Sequence, residues 1–244
     1  MDFFADHHLH SNYSDGRSGI RELAKRASLL GLEEITIADH GPNLILNGVK
    51  NINIYLQEKK EIQEISKDFP GLKIQIGAEA NVISLDGKID LPQEIYQQLD
   101  LLIIGLHPFI KLASWKKDWP YFFYNQLKNI SPKLMEKAAA VNTKALKQAI
   151  LNHKPQIIAH PGLGLPIDPI EIARTCFTTD TAYEINAGHR YQQVEEIISV
   201  AKTGVKFIVN SDAHFVDTVG QLEYGATLLK AAKVPKDRII NARF

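Results

Sequence analysis

Short apolar runs alternate with stretches of helical periodicity along this chain, and all but one of the runs close on a histidine, aspartate or glutamate; no other feature limits the fold so strongly. The runs are "EEITIAD" (33–39), "LKIQIGAE" (72–79), "LDLLIIGLH" (99–107), "PQIIAH" (155–160), "TAYEIN" (181–186) and "VKFIVNSDAH" (205–214), and with the opening "MDFFADHHLH" they make seven predicted strands. Between them lie amphipathic helices: Ile20, Leu23, Ala24, Ala27 and Leu30 follow one helical face with Gly31 as the cap, and Val194, Ile197, Ile198 and Ala201 repeat the pattern with Gly204 behind them. Strand and helix in alternation imply parallel pairing through crossover helices, in a doubly wound sheet or a closed barrel.

The polar strand ends choose between those two. His8 and His10 close the first run, His40 the second, Glu79 the third, His107 the fourth, His160 the fifth, and Asp212 with His214 the last. An open sheet would spread these positions along a line, whereas a barrel arranges its carboxyl-end loops in a ring around one mouth. Residues two apart in a strand share a face, so His8 and His10 are expected to form a pincer, and Asp212 and His214 another. Six of the nine histidines fall at such ends, a concentration that points to a metal site assembled from distant segments.

Global properties narrow the functional classes. Lys plus Arg and Asp plus Glu are 28 each in 244 residues, so the chain lacks the basic excess of a typical nucleic-acid reader. Cys176 is the sole cysteine, which rules out an internal disulfide and fits a reducing compartment. The N-terminus lacks the basic and apolar segments of a signal peptide, and no apolar run is long enough to span a bilayer, so a cytoplasmic protein without a membrane partner is expected. Asn12-Tyr13-Ser14 then matches a glycosylation acceptor by coincidence. A nucleotide phosphate loop, an H-E-x-x-H helix and a G-x-S-x-G elbow are all missing, and "PGLGLP" after His160 lacks dinucleotide spacing.

Taken in order, "DHHLHSNYSDG", "ITIADHG", "IGAEANVISLDGKID", "LDLLIIGLH", "IIAHPG", "AYEIN" and "VNSDAH" resemble the PHP superfamily, named for polymerase and histidinol phosphatase. The resemblance runs nearly end to end and is strongest to stand-alone phosphoesterases and to the PHP domain of some bacterial family X polymerases. It implies one domain over residues 1–244, an α/β fold built as a distorted seven-stranded (β/α) TIM-like barrel, and a trinuclear centre at the carboxyl ends of its strands. Its ligand positions are filled here by His8, His10, Asp15, His40, Glu79, His107, His160, Asp212 and His214. The resemblance gives one ion to His8, His10, Glu79 and Asp212, a second to Glu79, His107 and His160, and a third to Asp15, His40 and His214. Asp15 stands in "SDG", where some relatives carry a histidine nearby.

Mixed imidazole and carboxylate donors suit Zn, Mn or Fe without selecting among them. The implied activity is hydrolysis of small phosphomonoesters by a metal-activated water near Glu79, with histidinol phosphate as one named substrate. The alternatives are a nuclease or phosphodiesterase acting on nucleic-acid ends, against which the neutral charge argues, and a non-catalytic metal-binding module; an oligomer stays open. Around the ligands, Asp6 and Asp39 are expected to accept a histidine N–H or a water. His189 and Glu184 are available as leaving-group acids, and Arg190, ahead of Arg17, as a phosphate holder. The aromatic stretch "FIKLASWKKDWPYFFYNQ" (109–126) reads either as a lid stacking on substrate or as a helix buried against the barrel or a partner subunit.

Overall fold

A computed structural model describes Met1–Phe244. The strands are β1 (Asp2–Phe3), β2 (Ala5–Leu9), β3 (Glu34–Ile37), β4 (Lys73–Asn81), β5 (Leu101–Gly105), β6 (Ile157–Ile158), β7 (Ala182–Asn186), β8 (Phe207–Asn210) and β9 (Ala242–Arg243). The helices are α1 (Ile20–Leu29), α2 (Ile54–Ile65), α3 (Gln93–Tyr96), α4 (Trp115–Leu127), α5 (Pro132–His153), α6 (Pro169–Thr179), α7 (Val194–Ala201) and α8 (Glu223–Ala231). Strands β2 to β8 pair in parallel, each with its neighbour in sequence. The ends of this order meet through a parallel bridge between Leu9 and Ala213, where His10 N–H donates to Ala213 O at 2.9 Å. The result is a nearly closed seven-stranded barrel.

Departures from a regular barrel have local causes. The crossover from β4 to β5 carries only the single turn of α3, while that from β5 to β6 carries both α4 and α5. Strand β6 is two residues long, with Pro155 before it and Pro161 after it, each lacking the N–H a ladder requires.

The opening run is not one strand, as its composition suggests, but two. At Phe4 the backbone N–H turns to Asn241 O and the carbonyl accepts from Glu33 N–H at 2.8 Å, so Asp2–Phe3 leaves the barrel and pairs antiparallel with β9. The other predicted strands are present, β4 extending to Asn81 and the rest shorter than their runs, which leaves His107, His160, Asp212 and His214 on loops beyond β5, β6 and β8. The rule that alternate residues share a face therefore does not account for Asp212 and His214. Asp212 has φ +52° and His160 φ +27°, left-handed conformations that only the folded loops impose.

Packing divides into layers. Ala38, Leu101, Ile103, Ile157, Ala159, Ala182 and Ile208 form a separate small core, a dry plug of mostly short or branched side chains. Outside, helix faces cover the sheet. Ile20, Leu23, Ala24 and Ala27 of α1 are fully buried, each large aliphatic side chain contributing about 1.5–3 kcal/mol of transfer free energy. Leu30 lies past the end of α1 and is exposed, with Gly31 at φ +76° ending the helix. In α7 the buried pair is Ile197 and Val200, and Ile198 faces outward.

Candidate metal centre

All nine donors singled out in the sequence converge at the carboxyl end of the barrel. Glu79, on β4, lies at the middle with both oxygens engaged in different directions. Its Oε1 faces His160 Nε2 at 2.7 Å and His107 Nε2 at 3.3 Å. Its Oε2 faces His40 Nδ1 at 2.8 Å, His8 Nε2 at 3.3 Å and His10 Nε2 at 3.7 Å. Asp212 Oδ1 stands 3.1 Å from His10 Nε2 and 3.8 Å from His8 Nε2. Asp15 Oδ1 stands 3.3 Å from His214 Nε2, 3.6 Å from His40 Nε2 and 4.0 Å from His10 Nδ1. Three groupings bring their donor atoms close enough to hold an ion: His10, Asp15, His40 and His214; His8, His10 and Glu79; and His40, Glu79 and His107. His10 and His40 each belong to two of them, so the donors form one continuous cage.

The chemistry of these atoms fits bound cations. His8 Nε2, both ring nitrogens of His10, His40 Nδ1, both oxygens of Glu79 and Asp212 Oδ1 are buried with no hydrogen-bond partner. An orphaned buried polar atom costs about 1–3 kcal/mol, and a cluster of them is stable only if something other than a protein donor satisfies it. Gly105 gives the cage its room, since a Cβ at that position would collide with Glu79 Oε1 and His107 Cε1.

Electrostatics keep the carboxylates ionised. Burial alone would raise Glu79, but the facing His107, His40, His160 and His8 outweigh it and hold the carboxyl well below its ordinary range. Asp212 is likewise lowered despite burial, by His8 and His10, and Asp15 falls to about 2 against its own burial through His214 and His40. His10 goes the other way: burial, reinforced by its histidine neighbours, brings it down to about 4, so its ring stays neutral and free to donate a lone pair.

Comparison with known proteins gives this cage a lineage. The PHP domain model matches residues 6–204. The chain belongs to the PHP family. It is 27% identical to a "Probable phosphatase" of Acetivibrio thermocellus, over 99% of this chain and 92% of that one. It is also 27% identical to the "DNA polymerase/3'-5' exonuclease PolX" of Bacillus subtilis, over 98% of this chain, which spans only 39% of that longer protein. Among solved structures, the histidinol phosphate phosphatase of Lactococcus lactis, complexed with zinc, L-histidinol and phosphate, superposes with a TM-score of 0.65 at 19% identity, covering 96% of this chain and 95% of that one. At that identity the likeness concerns the fold.

The supports of this PHP centre are built from loop contacts. Asp6 and Asp39 do not bond a histidine ring. Asp6 accepts from Ser211 N–H at 3.0 Å, Ser211 Oγ at 2.5 Å and Gly220 N–H at 3.0 Å, latching the loop that bears Asp212. Asp39 accepts from Ser11 N–H at 2.8 Å, from Ser11 Oγ at 2.5 Å and from Ser14 Oγ, latching the loop that bears His10 and Asp15. The side chain that orients a histidine is Glu184, whose Oε1 lies 2.8 Å from His8 Nδ1 and whose Oε2 accepts the His160 N–H at 2.6 Å. Glu184, available from the sequence as a leaving-group acid, is fully buried against His8 and His160 and lies outside the cavity lining. Asn186 and Asn210, absent from the sequence-derived set, complete this layer: Asn186 Nδ2 donates to Asp212 Oδ2 at 2.9 Å and Asn210 Nδ2 to Glu184 Oε1 at 2.8 Å. The alternation in "AYEIN" and "VNSDAH" was the available signal for both.

Above the cage opens a cavity of about 950 Å³. His189 lines it with a half-exposed ring, 3.3 Å from Asp212 Oδ2. Arg17 also lines it, whereas Arg190, favoured from the sequence, is exposed outside the lining. Arg190 sits at φ +53°, and the backbone N–H of Arg17 donates to His214 O at 2.8 Å. Of the aromatic stretch, only Phe109 and the adjoining Pro108 reach the cavity. From Trp115 onward it forms α4, packed on α5 through buried Tyr121 and the Asn125–Asn142 pair, with Trp115, Trp119, Phe122 and Phe123 on its outer face. It does not fold over the mouth as a lid, and against the barrel it buries one face only. No helix is long and apolar enough to cross a membrane.

Proposed function

We propose that this chain is a metal-dependent phosphomonoesterase acting on small phosphorylated substrates. It is a hydrolase of the PHP family. The observation that carries the reading is the orphaned Glu79 carboxylate, with its two oxygens turned to different sets of imidazoles. His8, His10, Glu79 and Asp212 would hold one ion, Glu79, His107 and His160 a second, and Asp15, His40 and His214 a third, drawn from Zn, Mn or Fe. Bound there, divalent ions supply charge neutralisation for a phosphoryl group and lower the pKa of water.

The chain's own residues do the rest. Arg17, in the cavity lining, offers a guanidinium to the phosphoryl oxygens. His189, half exposed at the cavity wall, is positioned to protonate the departing alcohol as the ester P–O bond breaks and a water oxygen joins phosphorus. Glu184, Asp6 and Asp39 hold the donors in place.

Action on nucleic-acid ends is the second reading, supported by the polymerase/exonuclease relative. Arg17 is the sole lysine or arginine in the cavity lining, which favours a single phosphate over a polyanion. The test is to strip the protein with chelator, reload it with each metal, and measure p-nitrophenyl phosphate, its bis ester and a labelled single strand. Hydrolysis of the monoester alone supports the proposal. Strand shortening would favour the nuclease, and silence in every metal would leave a metal-binding module.

A further inference from the structure

We infer that the cavity selects phosphomonoesters whose leaving alcohol is apolar and uncharged, and that Ile45, Leu46, Phe109 and Phe215 form the clamp that reads it. This rests on the phosphomonoesterase reading above and specifies its substrate class.

Charge is the first argument. The lining holds one lysine or arginine, Arg17, and its only acids are Asp15 and Asp212, both already turned to imidazoles of the cage. An ammonium on the leaving group would enter without a free carboxylate to meet it. Histidinol, bound in the Lactococcus lactis neighbour, carries an amine, so this chain's cavity is chemically ill-suited to it.

Rigid apolar walls are the second. Leu44 and Ile110 form an antiparallel bridge, Ile45 N–H donates to Phe109 O at 2.8 Å, and Lys111 N–H donates to Asn43 O at 2.9 Å. Asp90, buried, accepts the Asn43 N–H at 2.9 Å and ties the same loop to Asn81. The loops after β3 and β5 are thus zipped together, and Ile45, Leu46 and Phe109 stand on one fixed rim. Phe215, directly after His214, belongs to the lining from another loop.

Cost is the third. Leu46 is held at φ +72° with its side chain 97% exposed, and Phe109 and Phe215 are 62% and 56% exposed. A left-handed leucine is strained by about 1–3 kcal/mol, and here no burial within the chain offsets it. An apolar ligand over the metal cage would.

The test compares n-hexyl phosphate with 6-aminohexyl phosphate, whose leaving alcohols differ only at the far end, on the metal-loaded enzyme. The expected kcat/KM ratio is at least tenfold in favour of hexyl, carried mainly by KM, with a gain of about two- to fourfold per methylene from ethyl to hexyl. Leu46→Asp introduces a carboxylate where aspartate tolerates the backbone, and is expected to reverse the preference. A ratio near one, no dependence on chain length, or a Leu46→Asp enzyme that still prefers hexyl would overturn the inference. Calorimetric binding of hexylphosphonate against 6-aminohexylphosphonate separates the two readings. Tenfold tighter binding of hexylphosphonate without turnover of any ester would sink the phosphatase and keep the clamp; equal binding would sink the clamp whatever the activity.

Discussion

Two sets of buried carboxylates lie side by side in the fold and do opposite things. Asp6 and Asp39 are saturated with donors: serine hydroxyls and backbone N–H groups fill their oxygens, and each fastens one loop to the barrel. Glu79 and Asp212, equally deep, keep oxygens without a donor and face imidazoles. Both sets are buried carboxylic acids. What separates a latch from a ligand is whether the surrounding chain supplies N–H and O–H groups, because an ionised oxygen without a donor is tolerable only beside positive charge.

Breaking the ligand set is expected to have the largest effect. Glu79→Gln removes the charge shared by the two groups of donors and should abolish retention of at least one ion and lower kcat/KM for a phosphomonoester by at least about a thousandfold. Metal analysis after gel filtration, together with rates, checks this. Unchanged metal content would mean that Glu79 is only a buried acceptor.

The positioning layer comes next. Glu184→Gln frees His8 Nδ1 from its charged partner and should weaken metal binding by about 10- to 100-fold while leaving the fold intact. Titration with a competing chelator measures it.

The latches should respond in the opposite sense, in stability more than in chemistry. Asp6→Ala deletes three hydrogen bonds and is expected to cost about 3 kcal/mol in denaturant unfolding. Loss of metal without loss of stability would erase the distinction drawn between the two sets.

Glu58 offers the smallest and sharpest test. It is buried beside Asp39, with neither oxygen hydrogen-bonded, and burial, with Asp39 adding to it, pushes its carboxyl well above the usual glutamate range. The fold therefore holds a proton that the unfolded chain releases. This contribution is full below the ordinary glutamate value and is lost as pH rises through the folded one. Glu58→Gln should leave stability near pH 4 unchanged and raise Tm by about 2 °C or more near pH 8. Equal shifts at both pH values would show that Glu58 is ionised in the fold.

Much of the site was legible because a barrel converts sequence position into spatial position: any polar residue at the carboxyl end of a strand arrives at the same mouth. That is why donors as far apart as His8 and His214 could be gathered from order alone. Less legible was which polar neighbour does what. Asp6 and Asp39 adjoin the donors in sequence and look like their partners, yet serines from facing loops claim them. Glu184 looked available as an acid, and its burial against His8 is visible only once the barrel closes and brings β7 and β2 to either side of β8. Arg17 and Arg190 stand in similar loops, and only the folded chain shows that Arg17 lines the cavity while Arg190 stays outside it.

The chain by itself determined the alternation of strands and helices, the parallel order and the residue types at the mouth, since these follow from hydrophobic period and from where apolar runs stop. Only tertiary structure decided which buried oxygens are satisfied, which loops are zipped into a rigid rim and which backbone positions turn left-handed. These depend on donors and walls contributed by segments remote in sequence, and a hydrogen bond is directional and short-ranged, so no local pattern encodes its partner.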